Sequence, residues 1–176
     1  MSSQKYDYLF KIVIFVRSDE EKNEFLSKFF DCPSSDNQLT KIGFEIRTKL
    51  INFENKSIKL QLINTAHQER INIISKMDHK GANGIILMYD VTDKNSFEKI
   101  KNWIKQLNAT ADKSVTKILV GNKCDAPERV VTEEEGKKLA EEFGFGFLET
   151  SSTNNKNINE VFYYLVKAIL KLKEGV

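Results

Sequence analysis

Asn122, Lys123 and Asp125 stand in the run Gly121-Asn122-Lys123-Cys124-Asp125, directly after the apolar stretch Lys117-Ile118-Leu119-Val120. That placement puts them where a buried strand ends and a loop begins. A carboxylate there accepts two parallel N–H bonds from the edge of a guanine, a match that adenine does not offer. A lysine stem can lie along the apolar face of a base while its ammonium stays wet. An asparagine amide can tie the loop to neighbouring backbone. A polar strand-to-helix connection is the plain alternative, and this short pattern alone does not decide between the two.

The elements that must position this loop follow from the apolar pattern. Leu9 to Val16 is a near-continuous β-branched and aromatic run, as expected of a strand buried on both faces. A helix is predicted from about Glu20 to Phe30, with Phe25, Leu26, Phe29 and Phe30 inward and Ser18 or Asp19 as cap. Asp31 to Gln38, with Pro33, reads as a turn-rich loop. Phe44 to Phe53 and Ser57 to Ile63 read as a hairpin with its tip at Glu54-Asn55, followed by a weaker helix from Gln68 to about Lys80. Gly84 to Val91 is a strong strand, and Asp93 to Leu107 a helix. Thr132-Glu133-Glu134-Glu135 has the form of a capping box, opening a helix that stops at Gly144. A short strand from Phe145 to Glu149 and a helix from Asn157 to Lys171 close the chain. The order implies an α/β fold: a six-stranded, mostly parallel sheet with one antiparallel strand and helices on both faces. In such sheets ligands bind beyond the carboxyl ends of the strands. There the stretches 16–23, 64–68, 121–125 and 150–153 converge.

Composition sets bounds. The 176 residues are 40% hydrophobic and 30% charged, which fits one folded domain over 1–176 with a real core. A net charge of +2 gives no reason to expect nucleic acid or direct membrane contact by this segment. Cys32 and Cys124 make neither a metal pattern nor a disulfide framework, so a reducing, cytoplasmic compartment is expected. The chain has no apolar run of membrane-spanning length, and its last residues carry no cysteine for a lipid anchor. An endomembrane location then requires a lipidated tail beyond this segment, or a partner.

Taken in order, these segments resemble the Ras superfamily of small GTPases, and most of all its Rab family. The resemblance is carried by Tyr6-Asp7-Tyr8-Leu9-Phe10-Lys11, Ile58-Lys59-Leu60-Gln61-Leu62, Thr65-Ala66-His67-Gln68-Glu69-Arg70, Gly81-Ala82-Asn83-Gly84-Ile85-Ile86 and Tyr89-Asp90-Val91-Thr92-Asp93. Ser96-Phe97, Gly121-Asn122-Lys123-Cys124-Asp125 and Phe147-Leu148-Glu149-Thr150-Ser151 complete it. It implies a guanine-nucleotide fold in which Asn122, Lys123 and Asp125 read the base, helped by Ser151 and Ser152. GTP or GDP is the implied ligand. Protein effectors or regulators are the implied partners, engaged through switch regions 31–47 and 64–80. Where the family has Ser-Ala-Lys, this chain has Ser151-Ser152-Thr153, so one lysine is lost.

The chain departs from the family at the phosphate end. The pattern Gly-x-x-x-x-Gly-Lys-Ser/Thr works through glycines that let successive N–H groups face the phosphates. Here the stretch reads Val16-Arg17-Ser18-Asp19-Glu20-Glu21-Lys22-Asn23, with Val16 and Glu21 at the glycine positions. Its three acids face a polyanion; one charge pair at about 6 Å repels by roughly 3 kcal/mol at an effective dielectric of about 20. Lys22 and Asn23 remain as phosphate-binding candidates, and Lys22 reads equally as an exposed lysine on a first helical turn. The magnesium positions of the family align with Asn23, Lys41 and Asn64, so no metal ligand is assigned and Mg²⁺ is not expected. Thr40, next to Lys41, offers a hydroxyl only if the alignment slips by one residue.

His67 replaces the γ-phosphate-sensing glycine, while Gln68 keeps the water-orienting position as a vestigial catalytic residue. Ser34 stands where a stacking ring is usual, and Ile46, Ile63 and Asp78 where an aromatic effector patch is usual. Two functions follow. One is a pseudo-GTPase interaction module related to vesicle traffic, with weak or unusual guanine-nucleotide binding and hydrolysis absent or very slow. The alternative is a divergent but active GTP-hydrolysing Rab switch in membrane traffic. A third arrangement places this domain beside a second, competent one in a longer chain.

Overall fold

The computed structural model describes residues 5–30, 36–39, 44–65, 82–110 and 114–175. Their elements are, in chain order, β1 (Tyr8–Phe15), α1 (Asp19–Phe30), β2 (Asp36–Leu39), β3 (Phe44–Phe53), β4 (Lys56–Thr65), β5 (Gly84–Asp90), α2 (Lys94–Thr110), β6 (Thr116–Asn122), α3 (Glu133–Phe143), β7 (Gly146–Thr150) and α4 (Ile158–Glu174). One sheet joins all the described strands in the order β2-β3-β4-β1-β5-β6-β7. β3 runs antiparallel to both its neighbours, and every other pairing is parallel.

The α/β reading holds with one correction: the sheet has seven strands, not six. The added strand is β2, which overlaps the end of the stretch Asp31 to Gln38 read as a turn-rich loop. Its sequence, Asp-Asn-Gln-Leu, has no strand pattern. It becomes a strand only because its backbone pairs with the open edge of β3, from Asp36 opposite Thr48 to Leu39 opposite Glu45. The helix expected over Gln68–Lys80 lies outside the described residues, as do Ser34, Thr40, Lys41, His67, Gln68 and Asp78.

The strand period divides the core. On β1, Phe10, Ile12 and Ile14 face one side and Val13 and Phe15 the other. The first side packs against α1 and α4, where the rings of Phe29 and Phe162 stack at 3.9 Å. The second packs against α2 and α3 through Phe97, Ile100, Ile104, Leu107 and Leu139. Tyr89 belongs to this second side. It is buried, and its hydroxyl has no hydrogen-bond partner among the described residues. Gly136 of α3 permits that packing: a Cβ there would meet Tyr89 Oη at 2.3 Å and the Phe147 ring at 2.5 Å.

Local signals fix the joints. Glu54 and Asn55 both have positive φ, 47° and 64°, which makes the tight turn between β3 and β4. The Thr132 hydroxyl accepts the Glu135 N–H at 3.2 Å at the start of α3. Gly144 ends that helix at φ 71° and donates to Ala140 and Glu141.

Candidate functional site

Three parallel strands end side by side at their carboxyl edge. Asp90 of β5 pairs with Asn122 of β6, and Asn122 pairs in turn with Thr150 of β7. The main chain crosses over just beyond, with Val91 N–H donating to Asn122 O at 3.0 Å and Cys124 N–H to Thr150 O at 3.0 Å.

Asn122 is the hub of this edge. Its buried Oδ1 accepts from Thr150 Oγ1 at 2.9 Å and from the Ser152 N–H and hydroxyl, each at 3.2 Å. Its Nδ2 donates to Glu21 Oε1 at 3.1 Å, across 101 residues of chain. The amide thus ties the loop to neighbouring backbone through the Ser152 N–H, as its sequence suggests, and to three side-chain groups besides. Ser151 and Ser152 are both buried in this corner. The Ser151 N–H donates to Lys156 O at 3.1 Å, and the Ser151 hydroxyl oxygen accepts from Asn154 N–H at 3.1 Å.

Lys123 adopts a left-handed backbone, φ 63°, uncommon for a residue with a Cβ. Its ammonium lies 2.8 Å from Asp90 Oδ2. Asp90 Oδ1 accepts the Thr92 N–H at 2.8 Å and the Thr92 hydroxyl at 2.6 Å. Burial pushes the Asp90 carboxyl up, but the bonds from Lys123 and Thr92 outweigh it and leave the group below its ordinary value. Lys123 is raised by the same contact.

Asp125 is exposed and accepts a bond from the Asn154 amide. That bond, with one from the Ser151 hydroxyl, holds its carboxyl below the ordinary value. Arg129 braces the loop from behind. It meets Glu149 through two parallel bonds of 2.6 and 2.8 Å, and it donates to Cys124 O at 2.7 Å and Val131 O at 3.2 Å.

The 16–23 stretch faces this corner. Of its acids, Glu20 turns to solvent while Glu21 turns in and is only 8% exposed. Burial raises the Glu21 carboxyl above its ordinary value, opposed by the Asn122 bond and reinforced by the nearby charge of Asp90. Lys22 is 3% exposed, so the reading of an exposed lysine is overturned. Its N–H donates to Ser18 O at 3.0 Å, which puts it on the first turn of α1. Arg17 instead reaches Asp93, at the start of α2. Asn23 is exposed, its Oδ1 lying 3.5 Å from the Arg47 guanidinium of β3. Asn64 is placed by the register opposite Glu45, near the end of β4. Lys41 and Gln68 lie outside the described residues. Of the effector-patch positions, Ile46 and Ile63 sit directly opposite one another on β3 and β4.

The structure therefore brings Asn122, Lys123, Asp125, Ser151, Ser152 and Glu21 to one corner at the carboxyl edge of the sheet. Asp90, Arg129, Glu149 and Asn154 were not assigned from sequence. The signal available for them was polarity: each is a charged or amide residue at the edge of an apolar strand or in the loop it feeds.

A model of the Ras family matches residues 11–171. The chain is 40% identical over 174 residues to the GTP-binding protein ypt2 of Schizosaccharomyces pombe, covering 98% of this chain and 87% of that protein. It is 43% identical over 167 residues to the Ras-related protein Rab-8B of Dictyostelium discoideum, covering 94% and 82%. It is 40% identical over 168 residues to the Ras-related protein SEC4 of Saccharomyces cerevisiae, covering 96% and 78%. With this match and this sheet, the chain belongs to the Ras family of small GTPases. Within it, the chain falls among the Rab and Ypt proteins.

Proposed function

We propose that this chain is a Rab-like G domain that keeps a guanine-reading loop, holds guanine nucleotide weakly and hydrolyses GTP very slowly or not at all. It acts as an interaction module in vesicle traffic on endomembranes, presenting segments 31–47 and 64–80 to effectors or regulators. One observation carries the reading: the Glu21 carboxyl is buried against Asn122 at a position where a phosphate loop needs glycine. The base end suits a guanine, since Asp125 presents an exposed carboxylate and Lys123 a stem beside the loop. The phosphate end does not suit a polyphosphate, because a buried negative charge faces it at low dielectric. Asn23, an amide beside the Arg47 guanidinium, does not suit a hard cation, and tight Mg²⁺ binding is not expected. Among the described residues, no helix is long and apolar enough to cross a membrane.

An active GTP-hydrolysing switch is the second reading. The 40% identity of this chain to the GTP-binding protein ypt2 favours it. Denaturing the purified protein, identifying any released nucleotide and following GTP turnover with and without Mg²⁺ separates the two. The proposed function expects little or no bound nucleotide and no magnesium-dependent turnover; one nucleotide per chain with magnesium-dependent turnover establishes the switch. Asp125→Ala should remove any preference for guanine over adenine nucleotides. Because Asp125 is exposed, the fold should be unaffected. Unchanged preference would dismiss the base-reading role.

A further inference from the structure

We propose that Glu21 is a specificity-determining residue of this corner: its carboxylate excludes the phosphates of a guanine nucleotide while leaving the base-reading loop assembled. The proposal rests on the reading of weak nucleotide binding and names the residue responsible.

Placement singles out Glu21 from its neighbours. The first turn of a helix ordinarily favours anionic ligands through its unpaired N–H groups. In α1 that turn carries its own acids, of which Glu20 faces solvent and Glu21 this corner. Asn122 holds the inward carboxylate at 3.1 Å, and the three bonds to its Oδ1 fix which way the amide points. Two of the nearby cations are engaged with other acids. Lys123 is paired with Asp90, and Arg17 with Asp93. Asp90 adds a second negative charge to the Glu21 surroundings.

The fold does not require this charge. A glutamine of the same shape would still offer an oxygen to Asn122 Nδ2, without the cost of burying an ion. What the charge alters is the ligand the corner accepts. A guanine nucleoside meets only the loop at Asn122–Asp125, whereas a diphosphate must also approach the Glu21 carboxylate. Repulsion therefore falls on the phosphate part of the ligand and spares the base.

The test is isothermal titration of wild-type chain, Glu21→Gln and Glu21→Gly with GDP and separately with guanosine, in EDTA. Circular dichroism and thermal unfolding check each variant's fold. Both variants should bind GDP about tenfold more tightly than wild type, or better. Guanosine affinity should change by about twofold or less, because that ligand brings no charge. If Glu21→Gly does not fold, the near-isosteric Glu21→Gln decides alone. No gain in GDP binding up to millimolar concentration overturns the proposal, and so does a parallel gain for guanosine, which would mark a change of shape at this corner. Tight GDP binding by wild type sinks the weak-binding reading itself. The variant-to-wild-type ratio judges Glu21 separately.

Discussion

The two sides of this corner are built on opposite terms. At the Asn122–Asp125 loop the polar groups are answered from within the chain: Asn122 by Thr150, Ser152 and Glu21, Lys123 by Asp90, Asp125 by Asn154 and Ser151, and Arg129 by Glu149. On the α1 side, the Glu21 carboxyl is raised by burial against a single neutral donor, Asn122, with Asp90 and Lys123 acting on it in opposite senses. The contrast bears on how motifs are read. Asn122 joins β6, the loop after β7 and α1, so the fold needs it whether or not a base is bound. Asp125, exposed at the rim, has no comparable structural duty. Retention of the asparagine therefore says little about ligand binding, and retention of the aspartate says more.

That division can be broken from either side. The largest effect is expected for Asn122→Ala. It strands the Glu21 charge and the Thr150 and Ser152 donors together, and should cost about 3 kcal/mol in denaturant unfolding. A loss within error would mean that Asn122 is not the hub. Arg129→Ala comes next, at about 2–3 kcal/mol, because it leaves Glu149 and the Cys124 carbonyl without their donor. Arg129→Lys should recover only part of this, since an ammonium cannot make the two parallel bonds.

The smallest effect, of opposite sign, is expected for Glu21→Gln. The Glu21 carboxyl is raised in the folded protein above the ordinary 4.5. Its proton-linked contribution is therefore fully present below 4.5 and is lost as pH rises through the higher folded value. The glutamine variant should match wild type in acid and become the more stable of the two toward neutral pH. Asp90 works the other way: its lowered carboxyl contributes above the ordinary aspartate range and loses that contribution as pH falls. Unfolding midpoints measured across pH for wild type and Glu21→Gln check the sign. A gap that widens in acid would contradict it.

The fold was largely legible because its signals are local. Phe44 to Phe53 alternates as a strand should, and β3 spans those same residues. Glu54-Asn55 turns where two turn-forming residues stand, and the Thr132 box and Gly144 bound α3 as their chemistry requires. β2 was not legible, because edge pairing is a property of the neighbour's open backbone and not of Asp36–Leu39. In the candidate site, residue types at a strand end pointed to Asn122, Lys123 and Asp125, and the structure places them at that edge. Their partners did not show, since the bonds span 33 residues from Lys123 to Asp90 and 101 from Asn122 to Glu21. No local pattern tells which of three consecutive acids turns inward, so the acidic stretch could be seen as hostile to phosphate without Glu21 being picked out.

Tyr89 offers something of a different kind, a clock already installed in the chain. Tyr6, Tyr163 and Tyr164 stand open to reagents in solution, whereas Tyr89 is sealed between the sheet and the α2–α3 layer with a hydroxyl bonded to nothing described. A nitrating reagent should mark the outer three at once and reach Tyr89 only when that layer lifts. The rate of its late modification, read by mass spectrometry, then times the breathing of one face of the molecule with no dye attached. If Tyr89 is marked as fast as Tyr164, that face is not closed.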